Sequence, residues 1–149
     1  MHQPLSNAAK AALEAAQQEA RSLNQEFVGT EHLLLGIIAG SGTIATRLLR
    51  QYHVDRDALR TQIRSTLPFS ENPPNVTGPL PLSPKAQRAI NSALVMSRSL
   101  RESTVSTRLL LLALLDDARG SILQSLQSSG VDVEGLFKAL AEKPAEAEA

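Results

Sequence analysis

The chain has no cysteine. That removes disulfides, thiolate zinc sites and a cysteine nucleophile. Aromatic residues make up only 3% and tryptophan is absent, so a base-stacking platform for single-stranded nucleic acid is not expected. Neither sign of charge is in excess: 15 basic residues face 15 acidic ones, for a formal net charge of +0. No basic face is evident, and a phosphate-backbone partner is therefore not expected. Long apolar runs are missing too. The longest, Leu109 to Leu115, is far too short to span a bilayer. The N-terminus lacks the basic-then-apolar build of a secretory signal. These absences favour a cytoplasmic protein with no membrane partner and no metal or other cofactor.

What is present is a repetition. Leu5-Ser6 through Ile38 aligns without a gap on Leu82-Ser83 through Leu115, an offset of about 77 positions. Ala9, Ala12, Leu13 and Ala16 meet Ala86, Ala89, Ile90 and Ala93. Arg21-Ser22-Leu23 meets Arg98-Ser99-Leu100, and Val28 and Thr30 meet Val105 and Thr107. Val54-Asp55 meets Val131-Asp132. A duplication of this kind fixes architecture before any residue is given a job. With 149 residues the chain is long enough for a real core.

Helical spacing runs through both copies. Ala9, Ala12-Leu13, Ala16, Ala20 and Leu23 form one apolar face after a capping Ser6. Further helices are expected at Thr30 to Ala39, Thr43 to Gln51 and Asp55 to Leu67, with Gly40-Ser41-Gly42 ending the second. In the second copy they are expected at Pro84 to Leu100, Thr107 to Asp116, Gly120 to Ser128 and Asp132 to Ala141. Ser83-Pro84 is a strong helix start, because proline at the first helical position loses no needed amide. Leu109 to Leu115 is apolar on all sides and predicts a central buried helix. Pro68, Pro73, Pro74, Pro79 and Pro81 mark an irregular connector. The expected organisation is all-α: two pseudo-symmetric four-helix repeats, 5–67 and 82–142, joined by a connector, 68–81, into one compact eight-helix domain, 1–142. The alanine–glutamate tail, 143–149, is expected to be disordered.

The stretch from Ala20 to Ile38, ARSLNQEFVGTEHLLLGII, resembles the repeat signature of the Clp N-terminal domain, which stands at the front of the Hsp100 unfoldases ClpA, ClpB and ClpC. The resemblance covers about residues 3–141, and the glutamate of the motif fits ClpC-type domains best. It implies a double four-helix fold. It also implies a non-enzymatic role in the Clp protease system, binding protein substrates, adaptors or the Clp ATPase and protease subunits. No phosphate-cradling glycine loop followed by Gly-Lys-Ser/Thr occurs, so the ATPase machinery is not in this chain. It is either a stand-alone N-domain-like protein or a piece of a longer unfoldase, and the alanine–glutamate tail favours the former.

The motif has its own physical reading. Gly29-Thr30-Glu31-His32 stands where a loop enters a helix, with Thr30 as the expected cap. Free amides and the positive dipole end gather there and favour an anion. Two readings of Glu31 stand: a carboxylate favoured by the dipole, or a partner for a ligand cation beside that anion. Phosphoarginine has both groups. The resemblance to ClpC-type domains places Glu31 on its guanidinium and Val28, Gly29 and Thr30 near its phosphate. In the second copy the glutamate has become Arg108 and the histidine Leu109, so at most one such site, in the first repeat, is expected. His32 is expected to order the loop by hydrogen bonding. Asp116-Asp117 and the arginines at 47, 50, 56, 60 and 64 read as solvated helix surface.

Overall fold

The computed structural model describes residues 4–117, 121–142, 144 and 148. Eight helices occur among them: α1 Asn7–Ser22, α2 Thr30–Ile38, α3 Ile44–Gln51, α4 Arg56–Thr66, α5 Pro84–Ser99, α6 Thr107–Asp117, α7 Ser121–Ser128 and α8 Val133–Ala141. The fold is all-α, as the spacing predicts, and the helix ends fall close to the expected ones. Among the described residues the extended pairing is confined to two isolated bridges. The expected disorder of the tail concerns residues that lie largely outside the described ones.

Each repeat begins with a serine cap. Ser6 Oγ accepts the Ala9 amide at 3.0 Å, and Ser83 Oγ accepts the Ala86 amide at 3.1 Å. The helices that follow bury an alanine face: Ala9, Ala12, Ala16 and Ala20 in α1, and Ala86, Ala89 and Ala93 in α5. Such small side chains let backbones approach. A Cβ placed on Gly36 of α2 would lie 2.2 Å from the Ala12 carbonyl oxygen of α1. Glycine is required there by contact rather than by a turn.

The second helix of each repeat is the core. Leu33, Leu34, Leu35, Ile37 and Ile38 of α2 are buried, as are Leu109, Leu110, Leu111, Leu114 and Leu115 of α6, and the two helices touch. Burying each of these side chains is worth about 1.5–3 kcal/mol. Leu59 and Ile63 of α4, and Leu136 and Leu140 of α8, close the two bundles. Asp55 and Asp132 cap them, accepting the amides of Ala58 and Gly135 at 3.1 and 3.0 Å. The third helix of the first repeat crosses over: α3 packs on α6 and α8 of the other repeat.

The duplication is visible in backbone detail. Left-handed residues recur at the same places, Asn24 with Arg101 and His53 with Gly130. The two bridges are also equivalents. Leu5 pairs with Val105 and Val28 with Leu82, so the loop before the second helix of each repeat is zipped to the segment leading into the other repeat.

The connector is fastened rather than loose. The Gln17 side chain holds Leu80 at both ends, donating to its carbonyl at 2.9 Å and accepting its amide at 2.8 Å. Arg21 donates to the Gly78 carbonyl, Asn24 to that of Ser70 and Gln25 to that of Pro68. Leu80 is buried.

The arginines of α3 and α4 differ from expectation. Arg47 and Arg50 are exposed, but Arg56 donates to the carbonyls of Ile38 and Gly40 at 3.0 and 2.7 Å, satisfying the end of α2. Arg60 and Arg64 both pair with Glu19, whose side chain is nearly buried in α1. A solvated-face pattern in sequence cannot reveal a carboxylate arriving from another helix.

Candidate functional site

The site predicted from the sequence lies at the start of α2. Val28 is buried and extended; its amide donates to the Pro81 carbonyl and its carbonyl accepts the Ser83 amide, each at 2.9 Å. This pairing brings the loop of the first repeat against the capping serine of the second, a neighbour that sequence reasoning missed. The signal was available: Ser83 is the repeat partner of Ser6, but nothing in the pattern says that the copies exchange these segments.

Thr30 is the first residue of α2 and Gly29 its cap, with no side-chain cap bond. The expectation that Thr30 caps the helix is therefore corrected by one residue. The reason is His32, whose Nδ1 accepts the Gly29 amide at 2.9 Å. The imidazole performs the capping that a threonine hydroxyl would otherwise supply, and it orders the loop as expected. With Nδ1 accepting, the proton sits on Nε2, which is buried and meets no partner among the described residues. Burial holds the His32 pKa below its ordinary value, opposed by the nearby carboxylates of Glu31 and Glu19. The residue is neutral and structural.

Glu31 is half-buried in the first turn of α2. Its carboxylate folds back over the loop: Oε2 lies 3.3 Å from the place a Cβ on Gly29 would take. It forms no hydrogen bond or ion pair among the described residues. The amides of Thr30 and Glu31 have no intrahelical acceptor. An unpaired carboxylate thus stands beside unpaired amides, an arrangement that can take a cation and an anion held close together. Phe27, the preceding residue, is 53% exposed, and so is Phe69 of the connector at 64%, where 68–70 are tied to 23–25.

The equivalent position in the second repeat is built differently. Arg108 does not reach into solvent: it is 1% exposed, and its guanidinium pairs with Glu102 and donates to the Leu140 carbonyl. Its charge is consumed within the core of its own repeat. No group of three or more metal-ligating side chains occurs among the described residues, and none of their helices is long and apolar enough to cross a membrane.

The profile of the Clp repeat (R) N-terminal domain matches residues 4–129 and, in a second register, 81–147. The ClpA homolog of Trieres chinensis, an ATP-binding subunit of the ATP-dependent Clp protease, is 33% identical over 121 residues, 81% of this chain and 13% of its own length. The chloroplastic chaperone protein ClpC1 of Oryza sativa is 32% identical over 117 residues, 78% of this chain and 12% of its own. The chain thus spans about an eighth of these relatives. Among solved structures, the N-terminal domain of ClpD from Arabidopsis thaliana covers 94% of both chains at 23% identity with a TM-score of 0.72. A ClpV N-domain in complex with a VipB peptide covers 96% of this chain and 90% of its own at 26% identity, with a TM-score of 0.71. A doubled helical fold, a match over most of its length and relatives at this identity say the same thing: the chain belongs to the Clp repeat N-terminal domain family.

Proposed function

We propose that the chain is a non-enzymatic protein-binding module of the Clp protease and unfoldase system, which holds substrates, adaptors or Clp ATPase and protease subunits. The observation that carries this reading is family membership over nearly the whole chain, supported by a ClpV N-domain of the same fold that takes a peptide. Exposed Phe27 and Phe69, at the end of the molecule where the connector is tied to the first repeat, supply apolar surface for a protein partner. The test is capture by the immobilised full chain from a lysate of its own host, with identification by mass spectrometry. Clp subunits should be recovered, and recovery should persist in Glu31→Ala. Absence of every Clp component sinks the reading.

A second reading rests on the unpaired Glu31. Its carboxylate and the neighbouring amides of Thr30 and Glu31 fit a phosphoarginine side chain, with Val28 and Gly29 forming the wall of the site. Phosphoarginine at millimolar concentration should then raise the melting temperature of the wild type and leave that of Glu31→Ala unchanged. A wild type that does not respond removes this reading and leaves the first standing.

A further inference from the structure

The start of α6 and the start of α3 converge on one carboxylate. Glu148, near the end of the tail, accepts from Ser6 Oγ at 2.7 Å, from the Thr107 amide at 2.7 Å, from the Ile44 amide at 3.0 Å and from the Thr107 hydroxyl. The Thr107 hydroxyl is positioned for this, because its oxygen already accepts the Ala45 amide at 3.2 Å and so presents its hydrogen to Glu148. The receiving groups are built into the fold. Thr107 is fully buried and Ser6 is 3% exposed, and both also serve the helices themselves: Ser6 caps α1 and Thr107 bridges to α3. Two helix dipoles and two hydroxyls aimed at one point make a strong oxyanion receptor.

The comparison between repeats gives this notch its meaning. The first repeat carries its own carboxylate in the first turn, Glu31. The second has Arg108 at that place, turned inward onto Glu102 and Leu140. The Arg108 Nε is buried without a partner among the described residues, and the residue lines a cleft of about 410 Å³ together with Ile44, Leu48 and Pro144. A second cleft, about 280 Å³, shares Thr107 with the notch and is walled by Ala8, Ala11 and Ala15. Its alanine walls have room for a chain of small side chains. The tail sequence after Pro144, Ala-Glu-Ala-Glu-Ala, alternates small side chains with carboxylates.

We propose that the notch formed by Ser6, Ile44 and Thr107 is a carboxylate-binding site, filled in cis by Glu148, and that a glutamate of an acidic, alanine-rich peptide takes the same place when the tail leaves. The tail is then a built-in competitor. The peptide half of the proposal rests on the protein-binding reading; the tail half rests on geometry alone.

Nuclear magnetic resonance on the full chain tests both halves. In Glu148→Gln the amide resonances of Ile44 and Thr107 should move upfield while those of Thr30 and Glu31 stay in place, at every protein concentration. Unchanged Ile44 and Thr107 signals overturn the tail contact, and a change that grows with concentration overturns its cis nature. Acetylated Ala-Glu-Ala-Glu-Ala is then titrated into the wild type and Glu148→Ala, a tail substitution outside the helical core. The variant should bind at least ten-fold tighter, with shifts centred on Ile44 and Thr107, and Ala-Gln-Ala-Gln-Ala should give none. Equal affinities for the two proteins, or equal responses to the two peptides, overturn the peptide half. Neither result bears on capture of Clp subunits, so failure here and failure of the functional reading are separable.

Discussion

At the scale of single residues, His32 links the loop of the first repeat to pH. Its Nδ1 must stay unprotonated to accept the Gly29 amide, and burial depresses its pKa. The unfolded chain therefore takes up a proton on this histidine before the folded one does. Its contribution to stability is complete above the ordinary histidine pKa of about 6.5 and is lost as pH falls through the depressed native value. The wild type should lose melting temperature between about pH 7 and pH 5 more steeply than His32→Asn, whose amide oxygen can accept the same bond without titrating; parallel curves would show that His32 is not the linked group. Arg108 makes a contrasting point. From sequence it is a charge in the place of a site glutamate; in the fold it is an internal counter-ion to Glu102. The sequence specified which residue differs between repeats, but not the direction in which its side chain runs, because that depends on Glu102 and Leu140 closing over it.

Elements were the most legible level. Serine caps, proline at the start of α5, and alanines at helical spacing located the helices, because each signal acts within a few residues of its cause. The contact between α1 and α2 shows where such reasoning stops. Gly36 lies within an apolar helix, where propensity alone favours alanine by about 1 kcal/mol. The Ala12 carbonyl sits 2.2 Å from the missing methyl, and backbone cannot yield as a side chain does. Gly36→Ala should therefore destabilise, by roughly 1–3 kcal/mol in urea unfolding, and a stabilised variant would mean that α1 shifts freely. The repeat partner of Gly36 is Ala113, so the two interfaces are not equally tight. Glu19 with Arg60 and Arg64 belongs here as well: the pairing joins α1 to α4, and no local pattern announces it.

For the molecule as a whole, the duplication announced the architecture and the signature announced the family. The candidate site was half legible. Glu31 and the amides of the first turn were found where the motif put them, while Ser83 beside Val28, and the tail carboxylate beside Ser6, are long-range contacts that no window of sequence contains. The connector was legible as irregular but not as attached. At Leu80 its attachment falls on Gln17, whose repeat partner is Leu94. Gln17→Ala should cost about 1–2 kcal/mol by freeing both polar groups of buried Leu80, and hydrogen exchange at the Leu80 amide should accelerate. An unchanged exchange rate would place the attachment elsewhere, with Arg21, Asn24 and Gln25.

The paired bridges, Leu5 to Val105 and Val28 to Leu82, carry an implication about ancestry. Reciprocal contacts of this form are what a two-fold axis generates in a homodimer, where one patch meets its own copy. A gene encoding one half would thus have had a ready quaternary form, and fusion would have made that dimer permanent while freeing each half to diverge. Glu31 and Arg108, occupying one position under that axis, record how far such divergence has gone.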